Sequence, residues 1–390
     1  MRDAVIVEAV RTPVGKGRPG AGALSGTHPV QLLAHTLRTL VDRAGIDPAL
    51  VDDVIGGTVD QVGEQAMNTT RYAVLSAGFP ESVPATTVDR QCGSSQQAVH
   101  FAAQGVLSGA YDMAVACGVE SMSRVPMWSN VPAGADPFGP GIAERYPEGL
   151  VPQGISAELI AAKWSLSREQ MDTYAAQSHR RAAAAWDGGL FDAEVAPLNG
   201  VTRDESVRPG TSVEVLGGLR SAYYDPGFAE RFPQIEWNVT AGNASPVNDG
   251  ASAGLITTGE NAARLGLRPL ARLHSFAVTG SDPLLMLTGV IPATEKVLRT
   301  AGLDLADIDL FEVNEAFAAV VLAWLQETGA DPDRLNVHGG AIALGHPLGA
   351  SGTRLMTTLV HAMRARGARF GLQTMCEAGG LANATVLEAL

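Results

Sequence analysis

Two kinds of hydrophobic pattern alternate along the chain. Short runs rich in β-branched residues, such as AVIVEAV (4–10) and DIDLFEV (307–313), predict buried strands. Between them, apolar residues recur three and four positions apart in HPVQLLAHTLRTLVDRAG (28–45) and GTRLMTTLVHAMRARG (352–367), the spacing of helices with one buried face. Strands that alternate with helices in this way predict an α/β fold with a mostly parallel central sheet.

The pattern occurs twice. AGIDPALVDDVI (44–55) and AGLDLADIDLFE (301–312) both close a helix with Ala-Gly, turn at an Asp and enter a strand. In each half, a turn rich in small residues then leads into a helix, at QCGSSQQAVHF (91–101) and at GGAIALGHPLGASG (339–352). We therefore predict two duplicated α/β halves that bring matching loops to one shared face.

Residues 120–246 interrupt this repeat. The segment begins with a stretch rich in Pro and Gly and continues with a helical pattern over 156–189. An insertion of this length predicts a separate lobe that serves as a lid or ligand platform, with a purely stabilising excursion as the alternative. The predicted domains are 1–119 together with 247–268, the inserted lobe 120–246, and 269–390.

The composition narrows the possible partners. The chain has 390 residues, 46% of them hydrophobic, and its 28 Lys and Arg against 41 Asp and Glu give a formal charge of −13. This acidic balance lacks the positive field that draws proteins to nucleic acids or anionic membranes, so we expect neither as a partner. No apolar run reaches the length of a membrane span, and the charged start MRDAVIVEAVRTP lacks the apolar segment of a signal peptide. Three cysteines argue against a disulfide framework, which predicts a cytoplasmic location.

Cys92 lies at a junction between a strand pattern and a helix that begins with small residues. A thiol at a helix N-terminus is close to the positive end of the helix dipole, which favours the nucleophilic thiolate. Gly93 and Ser94 would let a ligand approach closely. The alternative is a buried, inert cysteine. We interpret Cys92 as a candidate nucleophile.

The equivalent turn of the second half holds His338 and His346. Pro347 biases His346 away from helix, and the neighbouring glycines open the backbone around its ring. A histidine in that position can take the proton of Cys92, although a lone loop histidine is more often a surface residue or a residue satisfied by its neighbours.

Two further residues complete the set of candidates. Cys376 ends a strand pattern and precedes a small-residue turn that could expose backbone N–H groups to an oxyanion. Asn314 stands between a strand and a helix, where it either caps that helix or points into the site. Cys117 lies mid-strand and is interpreted as core. No metal-ligand spacing, P-loop or dinucleotide-binding turn is present.

Five separated motifs, taken together and in this order, resemble those of the thiolase family over essentially the whole chain. They are VDRQCGSSQQA around Cys92, NVTAGNASPVNDGASA (238–253), NEAFA (314–318), GGAIALGHPLGASG (339–352) and CEAGG (376–380). The resemblance implies a five-layered αβαβα fold of duplicated halves with an inserted loop domain. It also implies an acyltransferase that cleaves a 3-ketoacyl-CoA with CoA, with no permanently bound cofactor.

The resemblance assigns roles to the candidate residues. Cys92 would attack the 3-keto carbonyl and keep the shortened acyl group as a thioester. His346 would activate Cys92 and, with a water held by Asn314, stabilise the enolate of the leaving acetyl-CoA. Cys376 would act as the acid toward that enolate. The N–H groups of Cys92 and Ala378 would bind the oxyanion of the tetrahedral intermediate.

The resemblance also implies that CoA, the co-substrate, lies across the inserted lobe. Arg208 matches an arginine near the nucleotide, and Ser245 matches a serine that contacts pantetheine. The remaining expected CoA contacts are Tyr223, Ala241 and Phe317. The plain alternative for Arg208 is a solvated surface charge.

This sequence departs from the family pattern at four places. Ala378 stands where a glycine is common, which is tolerated if its φ is not required to be positive. His338 replaces an asparagine that often precedes the Gly-Gly pair. Pro152 and Gln153 stand where short-chain biosynthetic members have His-Met, and the segment 224–237 is longer than usual. The last two departures predict a larger or unusual acyl chain.

Alternative functions belong to three classes. One is an acetyl-CoA acetyltransferase that forms acetoacetyl-CoA. Another is a decarboxylating condensing enzyme on acyl-carrier protein, against which Cys376 counts because such enzymes carry His or Asn there. The third is a catalytically silent CoA-binding protein. The resemblance also implies a homodimer or homotetramer, and the apolar strand YDMAVACGV (111–119) would suit a buried sheet edge for pairing.

Overall fold

The computed structural model of the protein describes residues 2–390. Within them, ten strands form one hydrogen-bonded sheet in the order β4-β3-β5-β6-β1-β7-β10-β9-β8, with β2 paired to β6 beside this path. The strands of the first half are β1 (Val5–Arg11), β2 (Gly15–Lys16), β3 (Asp53–Gly57), β4 (Ala85–Val88), β5 (Met113–Ser121) and β6 (Asn248–Thr257). Those of the second half are β7 (Ala271–Gly280), β8 (Leu310–Val313), β9 (Phe370–Glu377) and β10 (Leu381–Ala389).

The two halves repeat one strand arrangement. In the first, β3 pairs in parallel with β5, which is followed across the sheet by the antiparallel β6 and β1. In the second, β8 pairs in parallel with β9, which is followed by the antiparallel β10 and β7. The halves join through two residue pairs between β1 and β7, Val5 with Arg272 and Ile6 with Ala271. The duplication predicted from the sequence is therefore confirmed.

The expectation of a mostly parallel sheet is wrong. Parallel pairing is confined to β3 with β4, β3 with β5, and β8 with β9. Each half returns its last strand antiparallel to the one before it: β9 turns directly into β10, and β5 reaches β6 only after the long insertion. A direct turn of a few residues joins antiparallel strands, and parallel strands need a crossover.

Helices cover the sheet on its two outer sides and fill the space between its halves. Val5, Val7 and Val10 of β1 face an outer layer, whereas Ile6 and Ala9 face the central one, because the register shift between Ile6 and Glu8 moves the alternation of side chains by one residue. The helices of the two halves are α1 (Pro29–Ala44), α2 (Thr69–Ser76), α3 (Ser94–Ser108), α9 (Gly259–Arg264), α10 (Val290–Ala301), α11 (Ala318–Thr328), α12 (Ala341–Leu344) and α13 (Ser351–Arg366).

Three apolar cores define the layers. Leu33 and Leu37 of α1 pack on the first half of the sheet, and Val297 of α10 packs on the second half. Between the halves, Val99 of α3 and Leu359 of α13 share one core with strands of both. The resulting order is helix, sheet, helix, sheet, helix, which confirms the expected five-layered fold.

The inserted segment leaves the sheet after β5 and returns at β6. Its helices are α4 (Pro140–Arg145), α5 (Gln153–Lys163), α6 (Arg168–Asp187), α7 (Val213–Gly217) and α8 (Pro226–Arg231). The continuous helical pattern over 156–189 is divided at Ser165, whose φ of 52° is left-handed, and Ser167 forms a capping box with Gln170 that starts α6. Among residues 2–390, no helix is both long and apolar enough to cross a membrane.

The strand proposed as a sheet edge is internal. The segment 111–119 forms most of β5, which pairs on one side with β3 and on the other with β6. Its apolar side chains serve the core, and Cys117 is fully buried there, as expected. The edge strand of this half is β4, which leads directly to Cys92.

Candidate active site

Cys92 lies in the tight turn between β4 and α3. The Gly93 N–H donates to Arg90 O at 3.0 Å, and the Ser94 N–H donates to Gln91 O at 3.0 Å. Gln91 has a positive φ of 49°, an uncommon conformation for a residue other than glycine. Ser94 is the first residue of α3, so the sequence prediction that Cys92 stands just before a helix is confirmed. The turn holds Cys92 against the helix with 4% of the residue exposed.

Burial of Cys92 outweighs the helix-dipole effect that the sequence analysis expected to favour its thiolate. Burial raises the pKa of the Cys92 thiol well above its usual value, and negative charge on Cys376, Glu377 or Glu120 raises this pKa further. Loss of water around the sulfur outweighs the favourable helix N-terminus because a charged form is disfavoured in an apolar environment. The resting residue is therefore a neutral thiol, and it needs a base before it can act as a nucleophile.

His346 lies between α12 and α13, and its hydrogen bonds fix which ring nitrogen carries the proton. Its Nδ1 is 2.7 Å from Ser351 Oγ, and Ser351 Oγ donates its own proton to Pro347 O at 2.8 Å. Both contacts are satisfied only if Nδ1–H donates to the hydroxyl, which leaves Nε2 without a proton. The backbone N–H of His346 donates to Asn248 Oδ1 at 2.9 Å. The residue is thus oriented with a bare Nε2.

Nε2 of His346 faces Asn314. Burial, followed by the positive charge of Arg354, lowers the pKa of His346 to about 3, so the ring is neutral at ordinary pH. Asn314 Nδ2 lies 3.5 Å from Nε2, and Asn314 Oδ1 is buried with no partner among residues 2–390. α11 begins at Ala318 with no side-chain cap, so Asn314 points into the site and does not cap the helix. A free carbonyl oxygen beside a bare imidazole nitrogen suits a bound water.

The N-termini of α3 and α13 bring the two halves together at Cys92. The Thr353 N–H donates to Ser95 Oγ at 2.9 Å across the pair. A Cβ on Gly352 would lie 2.1 Å from the Gln96 nitrogen, so only glycine allows this approach. The buried apolar cluster around Cys92 is completed by Val59, Met122, Leu348 and Met375.

Glu120 holds the loop that carries His346. Its carboxylate accepts hydrogen bonds from Val59 N at 2.9 Å, Gly349 N at 2.8 Å and Gln65 Nε2 at 2.6 Å. Burial raises the pKa of Glu120 to about 7. The sequence analysis missed this residue, although a carboxylate inside an otherwise apolar strand was a usable signal.

Cys376 stands near the end of β9, fully buried. Burial, and then negative charge on Glu377, raises the pKa of the Cys376 thiol to about 12, so it stays protonated. In the turn that follows, φ is positive at Gly379 (81°) and Gly380 (80°) but not at Ala378. An alanine is therefore tolerated at position 378, because φ there is not required to be positive. Its N–H makes no hydrogen bond to another described residue.

Glu315 of the NEAFA motif links the inserted segment to this centre. It accepts hydrogen bonds from Tyr174 OH at 2.8 Å and Ser178 Oγ at 2.7 Å, both on α6. It also accepts one from Ile342 N at 3.0 Å, in α12, shortly before His346. α6 and the histidine loop are thus fixed relative to each other.

Four of the five expected CoA contacts lie close together. The rings of Tyr223 and Phe317 meet edge to face with centroids 5.9 Å apart. The Ser245 N–H donates to Ala316 O at 2.9 Å, next to Phe317. Ala241 is exposed in the turn that precedes Ser245. These residues form one surface patch, which extends from the buried Phe317, three residues after Asn314, to the exposed Ala241.

Arg208 is tied to a different element. Its side chain is exposed, and its backbone N–H donates to His179 Nδ1, on α6, at 3.2 Å. Burial, followed by the charge of Arg208, lowers the pKa of His179 to about 4. Among residues 2–390 the backbone N–H of Arg208 has this partner and its guanidinium forms no ion pair, so the charge is available for an anion.

The other departures from the thiolase pattern lie in two places, one at His338 and the other at Gln153 with the segment 224–237. His338 packs edge to face on Phe191 with ring centroids 5.9 Å apart, and neither ring nitrogen has a hydrogen-bond partner in the described part of the chain. Gln153 begins α5, where a Cβ on Gly154 would meet the Tyr223 ring at 2.1 Å. The long segment 224–237 packs on α5 through a cluster of buried residues: Val151, Ile155, Leu159, Phe232 and Ile235.

Comparisons with known proteins agree with this geometry. The N-terminal domain model of thiolase matches residues 4–260, and the C-terminal domain model of thiolase matches residues 267–389. The chain is 47% identical to the steroid 3-ketoacyl-CoA thiolase FadA6 of Mycobacterium tuberculosis, over all of this chain and 95% of that protein. It is 43% identical to a 3-ketoacyl-CoA thiolase of Erwinia tasmaniensis over the full length of both.

A solved structure shows the same fold. The acetyl-CoA acetyltransferase of Bacillus anthracis superposes with a TM-score of 0.88 at 36% identity, covering all of this chain and 99% of the other. The two family models together span nearly every residue, and the relatives match from end to end. This protein is therefore an enzyme of the thiolase family.

Proposed function

We propose that the protein cleaves a 3-ketoacyl-CoA with CoA, releasing acetyl-CoA and an acyl-CoA shortened by two carbons. The observation that carries the proposal is a neutral Cys92 thiol packed in one cluster with Leu348, two residues after His346, whose Nε2 has no proton. Cys376, a second protonated thiol, completes the set of groups that such a cleavage requires. The role of each of these residues is the one that the resemblance to thiolases implies, and the geometry and charge of the site support it.

The first half-reaction begins with proton transfer from Cys92 to His346. Because both groups are neutral at rest, the proton moves as the sulfur attacks the 3-keto carbonyl, and no preformed ion pair is needed. The new oxyanion is held by the N–H groups of Cys92 and Ala378. Collapse of the tetrahedral intermediate breaks the bond between C2 and C3 and leaves the acyl group on Cys92 as a thioester.

The electrons of the broken bond form the enolate of acetyl-CoA. Protonated His346 and a water held by Asn314 Oδ1 stabilise its oxygen. Cys376 donates a proton to the enolate carbon, which its raised pKa favours because the thiol is still protonated at ordinary pH. A CoA thiol then attacks the thioester and loses its proton to Cys376, which had become a thiolate. The bond between the acyl group and Cys92 breaks, the departing sulfur takes back its proton from His346, and the acyl group leaves on CoA.

CoA is proposed to lie along the surface formed by Tyr223, Phe317, Ala241 and Ser245. The aromatic pair offers an apolar face to pantetheine, and Arg208, which lacks an ion pair, offers a charge to a phosphate. We propose no permanently bound cofactor. The boundaries 120–246 remain our proposal for the lobe that carries most of this surface.

The acyl group is proposed to be larger than acetyl. Gln153 and the 224–237 segment depart from the short-chain pattern, and the segment adds apolar residues beside α5. A relative at 47% identity is named as a steroid 3-ketoacyl-CoA thiolase, which agrees with this direction. The second candidate is formation of acetoacetyl-CoA, supported by the acetyltransferase neighbour, but condensation of two acetyl-CoA molecules is uphill and favours the cleavage direction.

Two further properties belong to this proposal. We infer a cytoplasmic protein, since its three cysteines are free thiols. We also infer a homodimer or homotetramer, because the edge strand β4 presents unpaired backbone groups close to the Cys92 turn.

The test is intact-protein mass after mixing with a panel from acetoacetyl-CoA to bulky cyclic 3-ketoacyl-CoAs, while acetyl-CoA release is followed. We expect an adduct on Cys92 equal to the substrate acyl group minus a two-carbon unit, largest for the preferred chain. Cys92→Ala should give neither adduct nor release, whereas Cys117→Ala, which removes a buried thiol elsewhere, should give both. Cleavage that survives in Cys92→Ala refutes the proposal, and CoA binding without any adduct would indicate a silent CoA-binding protein.

A further inference from the structure

Glu377 is a buried carboxyl group in the site to which the proposed mechanism gives no role. It follows Cys376 directly as the last residue of β9, and its exposed fraction is 0%. A carboxyl group is rarely buried without a compensating partner or a function. Its position next to one thiol raises the question of what it does to both.

The side chain of Glu377 reaches the turn that carries Cys92. A Cβ on Gly93 would lie 1.8 Å from Glu377 Oε1, so the carboxyl group occupies the space that glycine leaves free, one residue after the nucleophile. Asn383, with its amide oriented toward the carboxyl, donates to Oε1 at 2.8 Å. Oε2 is buried with no partner in residues 2–390. The carboxyl group thus lies between the turns that carry Cys92 and Cys376, and only one of its two oxygens has a hydrogen-bond partner.

Three acids therefore share one buried space: the Glu377 carboxyl and the thiols of Cys92 and Cys376. Negative charge on Glu377 raises the pKa of each thiol. Burial is the largest effect on Glu377 and raises its pKa. Two charged groups face it from the turn after β4: Arg90 lowers the pKa of Glu377, and Asp89 raises it.

The order of ionisation in this cluster follows from ordinary acidities. A carboxylic acid starts about four pKa units below a thiol, and burial in the same space disfavours the charged form of all three groups. The carboxyl group is therefore the first of the three to lose its proton. Once it is charged, the like charges hinder both thiols, so the three groups titrate as one coupled system. Glu120 acts on Cys92 in the same direction and His346 is neutral, so neither reverses this order.

We propose that Glu377 is a positioning residue that acts through the two thiols: of these three acids it is the one that takes the negative charge, which keeps Cys92 and Cys376 protonated. The inference rests on the proposed function, since it is the enolate that needs Cys376 as a proton donor. The charge on Glu377 also keeps Cys92 from becoming a reactive thiolate when no substrate is bound.

The test measures alkylation of Cys92 and Cys376 by iodoacetamide as a function of pH, without substrate, with each site read by peptide mass spectrometry. Glu377→Gln removes the charge, so the apparent pKa of both thiols should fall by about one unit, and alkylation at pH 8 should be about tenfold faster. Glu388→Gln is the matched control: it removes a carboxylate from the same hairpin, about 20 Å along the strands. Its profile should equal that of the wild type.

If Glu377→Gln does not fold, Glu377→Leu carries the same expectation, because it removes the charge without burying an unpaired amide. Profiles of the Gln or Leu variant that coincide with the wild type overturn the proposal. The outcome is independent of turnover: wild-type acylation by a 3-ketoacyl-CoA tests the proposed function separately, so failure of one is distinguishable from failure of the other.

Discussion

Ser351 determines whether His346 can act as a base. Its hydroxyl accepts a hydrogen bond from the Nδ1–H of His346 at 2.7 Å and donates to Pro347 O at 2.8 Å. Both Ser351 and the imidazole are buried. Ser351→Ala removes the acceptor, and the ring then has no described partner that favours the proton on Nδ1. A proton on Nε2 would block transfer from Cys92.

The size of the effect follows from the cost of an unsatisfied buried donor. Leaving the Nδ1–H without a partner costs about 1–3 kcal/mol, which at 1.36 kcal/mol per decade corresponds to about a 5- to 150-fold slower acylation of Cys92. The effect falls on the chemical step, since Ser351 has no contact with the proposed CoA surface. We expect kcat to fall and KM for the 3-ketoacyl-CoA to change little.

Rapid-quench mass spectrometry of the acyl-enzyme in a single turnover measures this rate directly. Ser252→Ala is the matched control, because Ser252 donates to Ala350 O at 2.6 Å, one residue before Ser351, and does not contact the imidazole. It removes a buried β6 hydroxyl that bonds to the same loop, and it should slow acylation less than threefold. Equal rates in Ser351→Ala and Ser252→Ala would refute the tautomer argument, as would a wild-type rate in Ser351→Ala.

Two further predictions follow from the pKa shifts and from the CoA surface. The pKa of His346 is lowered to about 3 and that of Cys92 is raised, so the neutral base and the neutral thiol persist between these two pKa values. Titration of His346 should therefore slow single-turnover acylation only toward pH 3. A change near pH 7 that Glu120→Gln abolishes belongs to Glu120, whose pKa is about 7, whereas a decline centred near pH 6.5 that persists in Glu120→Gln would contradict the argument. In Gly154→Ala the new Cβ would lie 2.1 Å from the Tyr223 ring and should displace it. We expect KM for CoA to rise up to about tenfold, which corresponds to the loss of one aromatic contact. Gly217→Ala, whose Cβ would meet nothing within 4 Å, should leave KM unchanged, and a similar KM in both variants would contradict the assignment.

The elements that could be predicted are those with a strong local pattern. The 28–45 pattern became α1 over Pro29–Ala44, and the 352–367 pattern became α13 over Ser351–Arg366. The turn before α3 could also be found, because Gly93 and Ser94 mark a helix start. These features depend on neighbouring residues, which the sequence shows directly.

Features that depend on distant residues could not be predicted. The direction of pairing between β5 and β6 depends on where the chain returns after more than a hundred residues. The 111–119 segment is as apolar as an edge covered by a partner, and only the pairing with β3 and β6 shows that it is internal. The tautomer of His346 depends on Ser351, a small residue in a turn of small residues, which carries no sequence signal.

The neutral state of Cys92 indicates how the duplication serves catalysis. Each half contributes the N-terminus of one helix, α3 or α13, and these two meet at the same site. In the resting protein the Cys92 thiol and the His346 imidazole near them are both neutral. Their positive dipole ends therefore act when charge develops, on the attacking sulfur and on the oxyanion, which stabilises the transition state more than the ground state. A helix N-terminus beside a buried thiol thus indicates stabilisation of a transient charge, and it does not by itself predict a resting thiolate.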